Sequence, residues 1–366
     1  MADAVLSARA LNRALLARQG LLERWKVGAV EAIERIAGLQ AQDPRPPFVN
    51  LWSRLEGFAR DDLTAALEAR ETVRATLMRG TLHIVSRTDY LAWRMPLAAM
   101  LEAGAKSIQK TLGITVDPDE VNRLARPFFA AAPRRFEEVR EALIAALPDS
   151  HERGMGYTVR MTLPLVTPPE PVEWAFRRDP KFALAEAWLG APIPTATSPD
   201  AMILRYLAAF GPASITDAQT WSGLSGLKGV FERLSDRLVA FGDEAGRALY
   251  DLPDATRPPS DAPAPVRLLD GFDMVMLAHA DRARIIDARH KPLIANRNLR
   301  VPPVFLVDGF VAGTWSVAGS KKKPELALKP FAPLTGAARS DLADEAGRLL
   351  SFLRPDVTKR EVRFSE

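Results

Sequence analysis

The chain has 366 residues, 47% hydrophobic and 26% charged, an ordinary globular composition that exceeds one comfortable core and predicts two or three domains. It has no cysteine, which excludes a disulfide framework, a thiol nucleophile and Cys-based zinc. The net charge is only +4, yet residues 282–329 hold ten Lys/Arg against three acids, a local excess suited to a polyanionic partner.

Residues 5–18 have the period of an amphipathic helix, with Leu6, Leu11, Leu15 and Leu16 opposite Arg9, Arg13 and Arg18. Those arginines break any apolar leader, and no run of eighteen apolar residues follows. A cytoplasmic chain with no membrane partner is expected. Val30, Ile33, Ile36 and Gln40 fall at three- and four-residue steps, predicting a helix over 29–40. Pro44, Pro46 and Pro47 then send the chain out as an irregular or extended segment. At an unwinding helix end, Gln40 and Gln42 can turn toward one point. Each amide offers an acceptor oxygen and two donor hydrogens and cannot ionise, so the pair can hold a water or read a polar edge but is no strong base. The plainer reading is that both glutamines cap the helix and solvate the turn.

Short helices are expected over 48–57 and 61–70, the second N-capped by Asp61. The period then changes to two. Val73, Ala75 and Leu77 alternate with Thr72, Arg74 and Thr76, and after Met78-Arg79-Gly80 comes Thr81–Val85, a β-hairpin. Helices followed by a hairpin compose a winged-helix unit. After a helix at 88–112 the pattern recurs: helices at 118–131 and 134–147, then strands at Tyr157–Leu165 and Val172–Phe176. It recurs again with helices at 198–210, Ser214–Trp221 and Ser225–Leu238, and strands at Leu238–Phe241 and Ala248–Leu252. Proline-rich Ala255–Pro265 is expected to be a linker. Beyond it, a hairpin around Asp308-Gly309, a strand at Glu325–Leu328 and a helix at 337–353 predict a small module carrying most of the basic excess.

The four histidines (His83, His151, His279, His290) lack metal-ligand spacing, and no phosphate-binding loop, dinucleotide fingerprint or serine elbow is present, so no cofactor or metal is expected. Asp61-Asp62 and Glu137-Glu138 stand at helix starts, where the helix dipole accounts for them. His83 on the first hairpin is either a hydrogen-bonding residue of the strand or a contact near a ligand. Lys321, Lys322 and Lys323 are either phosphate contacts or solvated surface. The tryptophans at 52, 93, 174, 188, 221 and 315 fall at apolar positions and are expected in the core.

Five segments in order resemble the AlkZ family of bacterial DNA glycosylases, grouped with winged-helix DNA-binding proteins of the YcaQ type. They are Gly38-Leu39-Gln40-Ala41-Gln42, Arg79-Gly80-Thr81-Leu82-His83, Gly211-Pro212 with Trp221-Ser222-Gly223-Leu224, Leu268-Leu269-Asp270-Gly271-Phe272-Asp273, and Val307-Asp308-Gly309 with Gly313-Thr314-Trp315. The resemblance spans nearly the whole chain. It departs at Asp270–Asp273, where the family more often has a proline-containing run, and at Phe310, which replaces a polar residue.

The resemblance implies an α+β, mainly helical fold of tandem winged-helix units with a C-terminal α+β module. The divisions fall at 1–115, 116–195, 196–254 and 255–366. It implies hydrolysis of the N-glycosidic bond of alkylated purines such as N7-alkylguanine in duplex DNA, crosslinks being possible substrates. Gln40 and Gln42 are then catalytic; beside the resemblance, Arg79, His83, Lys321, Lys322 and Lys323 are read as the DNA-binding candidates, in a monomer. A non-catalytic transcriptional regulator and a protein-interaction scaffold are the rival readings.

Overall fold

The computed structural model describes residues 4–294, 301–320 and 323–365. One order of elements occurs three times: a helix, a short strand, two helices, then two antiparallel strands. The first set comprises helix Ala29–Arg35, strand Leu39–Gln40, helices Pro46–Trp52 and Arg60–Glu68, and strands Thr72–Thr76 and Leu82–Ser86. The second has helix Pro118–Ala131, strand Arg134–Arg135, helices Phe136–Ala146 and Glu152–Thr162, and strands Leu165–Thr167 and Lys181–Leu184. The third has helix Asp200–Phe210, a single bridge residue Ala213, helices Ile215–Ser222 and Lys228–Arg233, and strands Val239–Asp243 and Ala248–Asp251. In each set the short strand pairs with the last strand: Gln40 with His83, Arg134 with Phe182, and Ala213 with Tyr250.

The first two sets share one six-stranded sheet, because Thr72–Thr76 pairs edge to edge with Leu165–Thr167 through Arg74↔Thr167 and Ala75↔Val166. This covers an edge that each hairpin alone would expose. C-terminal to the sets, strands Arg267–Leu269, Val304–Val307, Phe310–Ser320, Lys323–Pro330 and Glu361–Phe364 form a five-stranded sheet. Helix Gly336–Leu353 packs against it with Leu342, Leu349, Leu350 and Leu353.

Several expected elements differ. The helix expected over 29–40 stops at Arg35. Ala37 and Gly38 take left-handed φ values of 56° and 91°, and a Cβ on Gly38 would stand 2.8 Å from Val85. Pro46 and Pro47 start the next helix rather than extending the loop, since a fixed φ suits the first turn. Tyr157–Thr162 is helical, not a strand, in a helix capped by His151, whose Nδ1 accepts from the Gly154 amide at 3.3 Å. The strand that closes the second hairpin is Lys181–Leu184, while 172–176 is a turn in which the Glu170 amide donates to the Ala175 carbonyl at 2.7 Å.

The arginines of the first helix are not its solvent face. Arg18 makes a buried two-pronged pair with Asp251 at 2.7 and 2.8 Å, and buried Arg13 reaches Asp308 at 2.5 Å. They also hold the expected linker: Arg18 Nε donates to the Thr256 carbonyl at 3.0 Å and Arg13 Nε to the Ala262 carbonyl at 2.6 Å. A second buried pair, Arg54 with Asp273, joins the first set to the C-terminal part through two 2.8 Å hydrogen bonds.

Candidate functional site

The strand Leu39–Gln40 and the two residues after it carry the glutamines. Leu39 and Ala41 turn into the core of the first helical set, as alternation along an extended chain requires, and leave Gln40 and Gln42 on the opposite side. The shared direction therefore comes from extended geometry, not from the unwinding helix end that the sequence suggested. The Ala41 amide continues the pairing by donating to the Leu82 carbonyl at 2.7 Å.

Gln40 is 7% exposed, and its Oε1 accepts a 2.7 Å hydrogen bond from Arg79 Nη2. A guanidinium only donates, so this contact fixes the amide: oxygen toward Arg79, NH2 away from it. Gln42 is exposed, and its Oε1 accepts from the Leu82 amide at 3.3 Å. A carbonyl oxygen has two lone pairs, so one acceptor site remains on each glutamine. The Ala41 carbonyl between them receives Arg74 Nε at 2.9 Å, which holds the motif's main chain in place.

Arg79 has a left-handed backbone, φ 55°, and its Nη1 donates to the Trp221 carbonyl of the third set. The third set comes this close because Gly223 lacks a side chain: a Cβ there would meet the Arg79 backbone at 3.1 Å. Burial pushes the Arg79 pKa down to about 10, so it stays a cation at neutral pH. Its guanidinium donates to Gln40 and to the Trp221 carbonyl and is only partly exposed.

His83 is fully buried, with Nδ1 3.0 Å from the Thr81 carbonyl and Nε2 without a hydrogen-bond partner among the described residues. Its ring does not reach the protein surface. Burial, and then the neighbouring Arg79 charge, push its pKa down to about 3, so it is neutral at physiological pH. The unfolded chain, with a histidine near 6.5, binds the extra proton between those values. Stability therefore rises with pH across about 3 to 6.5 and is lost as pH falls, by up to about 1.4 kcal/mol per pH unit for this one group. His83→Gln should flatten the dependence of unfolding free energy on pH between 4 and 6. An unchanged slope would contradict a buried neutral His83.

Of the expected basic contacts, Lys321 and Lys322 lie outside the described residues, and Lys323 is exposed at the start of its strand. Two clefts flank the glutamine segment. One of about 940 Å³ opens between Asp43–Pro46, Trp174 and the Asp270–Phe272 loop, where Arg45 pairs with Asp270 at 2.7 Å. The other, about 270 Å³, has Gln42 on its wall.

A model of the AlkZ-like DNA glycosylases matches residues 33–352. The chain belongs to the AlkZ-like DNA glycosylase family. Like its family, it is an enzyme, a glycosylase that cleaves N-glycosidic bonds. It is 25% identical over 337 residues to the interstrand DNA cross-link repair glycosylase of Streptomyces sahachiroi, covering 86% of this chain and 88% of that protein. The solved structure of Streptomyces sahachiroi DNA glycosylase AlkZ superposes with a TM-score of 0.81 over 99% of this chain and 100% of that one, at 22% identity, so the two share a fold. Among the described residues no helix is long and apolar enough to cross a membrane.

Sequence reasoning named Gln40, Gln42 and Arg79 but missed Arg74. Its signal was its place among the alternating polar residues Thr72, Arg74 and Thr76, of which Arg74 is buried against the Ala41 carbonyl rather than meeting water.

Proposed function

We propose that this AlkZ-like glycosylase hydrolyses the bond between an alkylated purine and deoxyribose in duplex DNA, with Gln40 and Gln42 placing the attacking water. The observation that carries the proposal is the fixed Gln40 amide beside an exposed Gln42. With its oxygen held by Arg79, Gln40 offers N–H to the water's oxygen. Gln42 Oε1 accepts a water hydrogen with its free lone pair. The water's remaining lone pair then points at the anomeric carbon. A purine alkylated at N7 already carries positive charge and leaves without a general acid, taking the C–N bonding pair as a neutral base through an oxocarbenium-like state as in glycoside hydrolysis, while the water that bonds the anomeric carbon sheds its proton to solvent. Positioning and oriented dipoles are then the whole task, which two amides that cannot ionise can meet. A relative named for interstrand DNA cross-link repair supports counting cross-linked bases among the substrates.

The thrice-repeated order, in which a short strand closes on the final hairpin strand, supports reading the sets as winged-helix units that grip the duplex. The third set is poorly suited to reading bases. Lys228 pairs with Glu232 at 3.7 Å, and Arg233 is taken by Asp200 at 2.7 Å. Affinity for undamaged duplexes should accordingly vary little with sequence, and selection from random duplexes should yield no motif. Strong enrichment of a palindrome would instead make the chain a regulator. Neutralising Lys321, Lys322 and Lys323 should weaken binding equally across sequences and reduce the salt slope by roughly two to three. An unchanged plot of log K against log salt would assign those lysines to solvated surface.

A further inference from the structure

The smaller cleft beside Gln42 lies where the first hairpin meets the second helical set, and its chemistry is unused by the water-placing role of the glutamines. Its walls include Arg74, Arg160 and Arg178 with Phe136 and Tyr157. None of these three guanidiniums has a carboxylate within salt-bridge distance among the described residues. The one acid among the lining residues, Asp179, is already paired with Arg135 at 3.1 Å.

Arg74 is the deepest, 2% exposed, and its Nη1 is buried with no hydrogen-bond partner among the described residues. Buried polar groups are normally satisfied and buried charges normally paired, so an unpaired guanidinium is a standing demand for an anion. Arg160 is held over Phe136 and Tyr157, 5.0 and 5.2 Å from their ring centres, with Nε donating to the Gly156 carbonyl at 3.1 Å. That stacking fixes the plane of its fork in advance of any ligand, the condition under which arginine grips an oxyanion with least entropy loss. Arg178 is exposed at the mouth and also borders the larger cleft.

We propose that this cleft seats one backbone phosphodiester of the damaged strand, contacted by Arg160 and Arg178 over the charge of Arg74, so that the adjoining sugar is held against Gln42. The inference rests on the base-excision reading and adds to it the group that fixes the register of the strand. Charge decides what occupies the cleft. An N7-alkylated purine is a cation and is repelled by three guanidiniums, whereas a phosphodiester is an anion. Phosphate contacts of this kind set position and carry no sequence information. Burial lowers the pKa of Arg74, to about 10, and that of Arg160, and at neutral pH both remain charged. Arg74 also holds the Ala41 carbonyl, which links the phosphate seat to the glutamine segment through one side chain.

The test uses the full chain and a duplex with one N7-methyl-2′-fluoro-2′-deoxyguanosine, which resists hydrolysis. Phosphodiesters near the lesion are replaced one at a time by neutral methylphosphonate, and affinity is measured for the parent and for the Arg160→Gln, Arg178→Gln double variant. Arg74 is left intact because its removal endangers the fold. In the parent, neutralising one or two phosphates of the damaged strand next to the lesion should weaken binding about tenfold, as loss of a charge-assisted contact does. The double variant should bind the unmodified duplex about tenfold more weakly and lose nothing further at those positions. Parent-like sensitivity at every position in the double variant, or no sensitive position in the parent, would overturn the proposal. Affinity is read on an uncleaved analogue, so failure of the parent to release bases elsewhere would count against the excision reading alone.

Discussion

Gln40→Ala and Gln42→Ala should each lower the single-turnover rate of base excision by about 10²–10³, the usual loss when one oriented dipole is removed from a reacting centre. DNA affinity should stay near that of the parent, because neither amide is assigned to phosphate. The two substitutions differ in their effect on the fold. Gln42 is exposed and its loss should leave the melting temperature unchanged. Gln40 is buried against Arg79, so its truncation leaves a guanidinium short of a partner and should cost about 1–3 kcal/mol. The glutamates separate the roles further. Gln40→Glu keeps the size and gives Arg79 a better acceptor, but removes the N–H that would hold the water, so excision should fall as in the alanine variant. Gln42→Glu retains an acceptor oxygen and should lose less. A Gln40→Glu enzyme as active as the parent would contradict the donor role of Gln40.

The largest stability effect should come from the pair Arg54–Asp273, each 1% exposed. Arg54 also donates to the Asn50 carbonyl at 2.9 Å, and Asp273 accepts from the Val275 amide at 3.0 Å, so the pair sits at a junction of the first helical set and the C-terminal part. Asp273→Ala would strand a buried guanidinium, at a cost of about 3–5 kcal/mol. Native stability is typically only about 5–15 kcal/mol, and a fall in melting temperature of about 5 °C is expected for a chain of this length. Replacing both partners, Arg54→Met with Asp273→Leu, should restore most of the loss, because apolar residues of similar volume substitute well for a buried ion pair. Equal melting of Asp273→Ala and the parent, followed by circular dichroism, would show that the pair is not a structural tie.

The sequence displayed those parts of the fold that local period controls. The hairpin 72–86, the strands Val239–Asp243 and Ala248–Asp251 joined through Gly246 at φ 75°, and the strands flanking Asp308-Gly309 alternate or carry a turn residue where one is required. It misled where local preference and tertiary context conflict. Tyr157-Thr158-Val159 has strand-forming side chains, yet Met155, Thr158 and Val159 are buried at helical spacing and the segment is a helix. The arginines looked like a solvent face because their partners are remote. Arg18 meets Asp251 and Arg54 meets Asp273, more than two hundred residues along the chain. The glutamine pair was legible as a motif, but its geometry was not, because the helix-breaking Ala37 and Gly38 act through φ values that composition does not reveal. His83 shows the other limit. Its strand was read correctly, whereas its burial depends on neighbours that only the assembled sheet supplies.

The central claim is that the chain frees an alkylated purine from DNA by hydrolysis at its sugar. It is tested most directly by incubating the purified protein with a duplex bearing a single N7-methylguanine and identifying the products by mass spectrometry. The account predicts free N7-methylguanine together with a strand that is intact except for one abasic site, neither appearing with the Gln40→Ala, Gln42→Ala double variant. An unaltered duplex after prolonged incubation with the folded parent enzyme, or equal base release by the double variant, would contradict it.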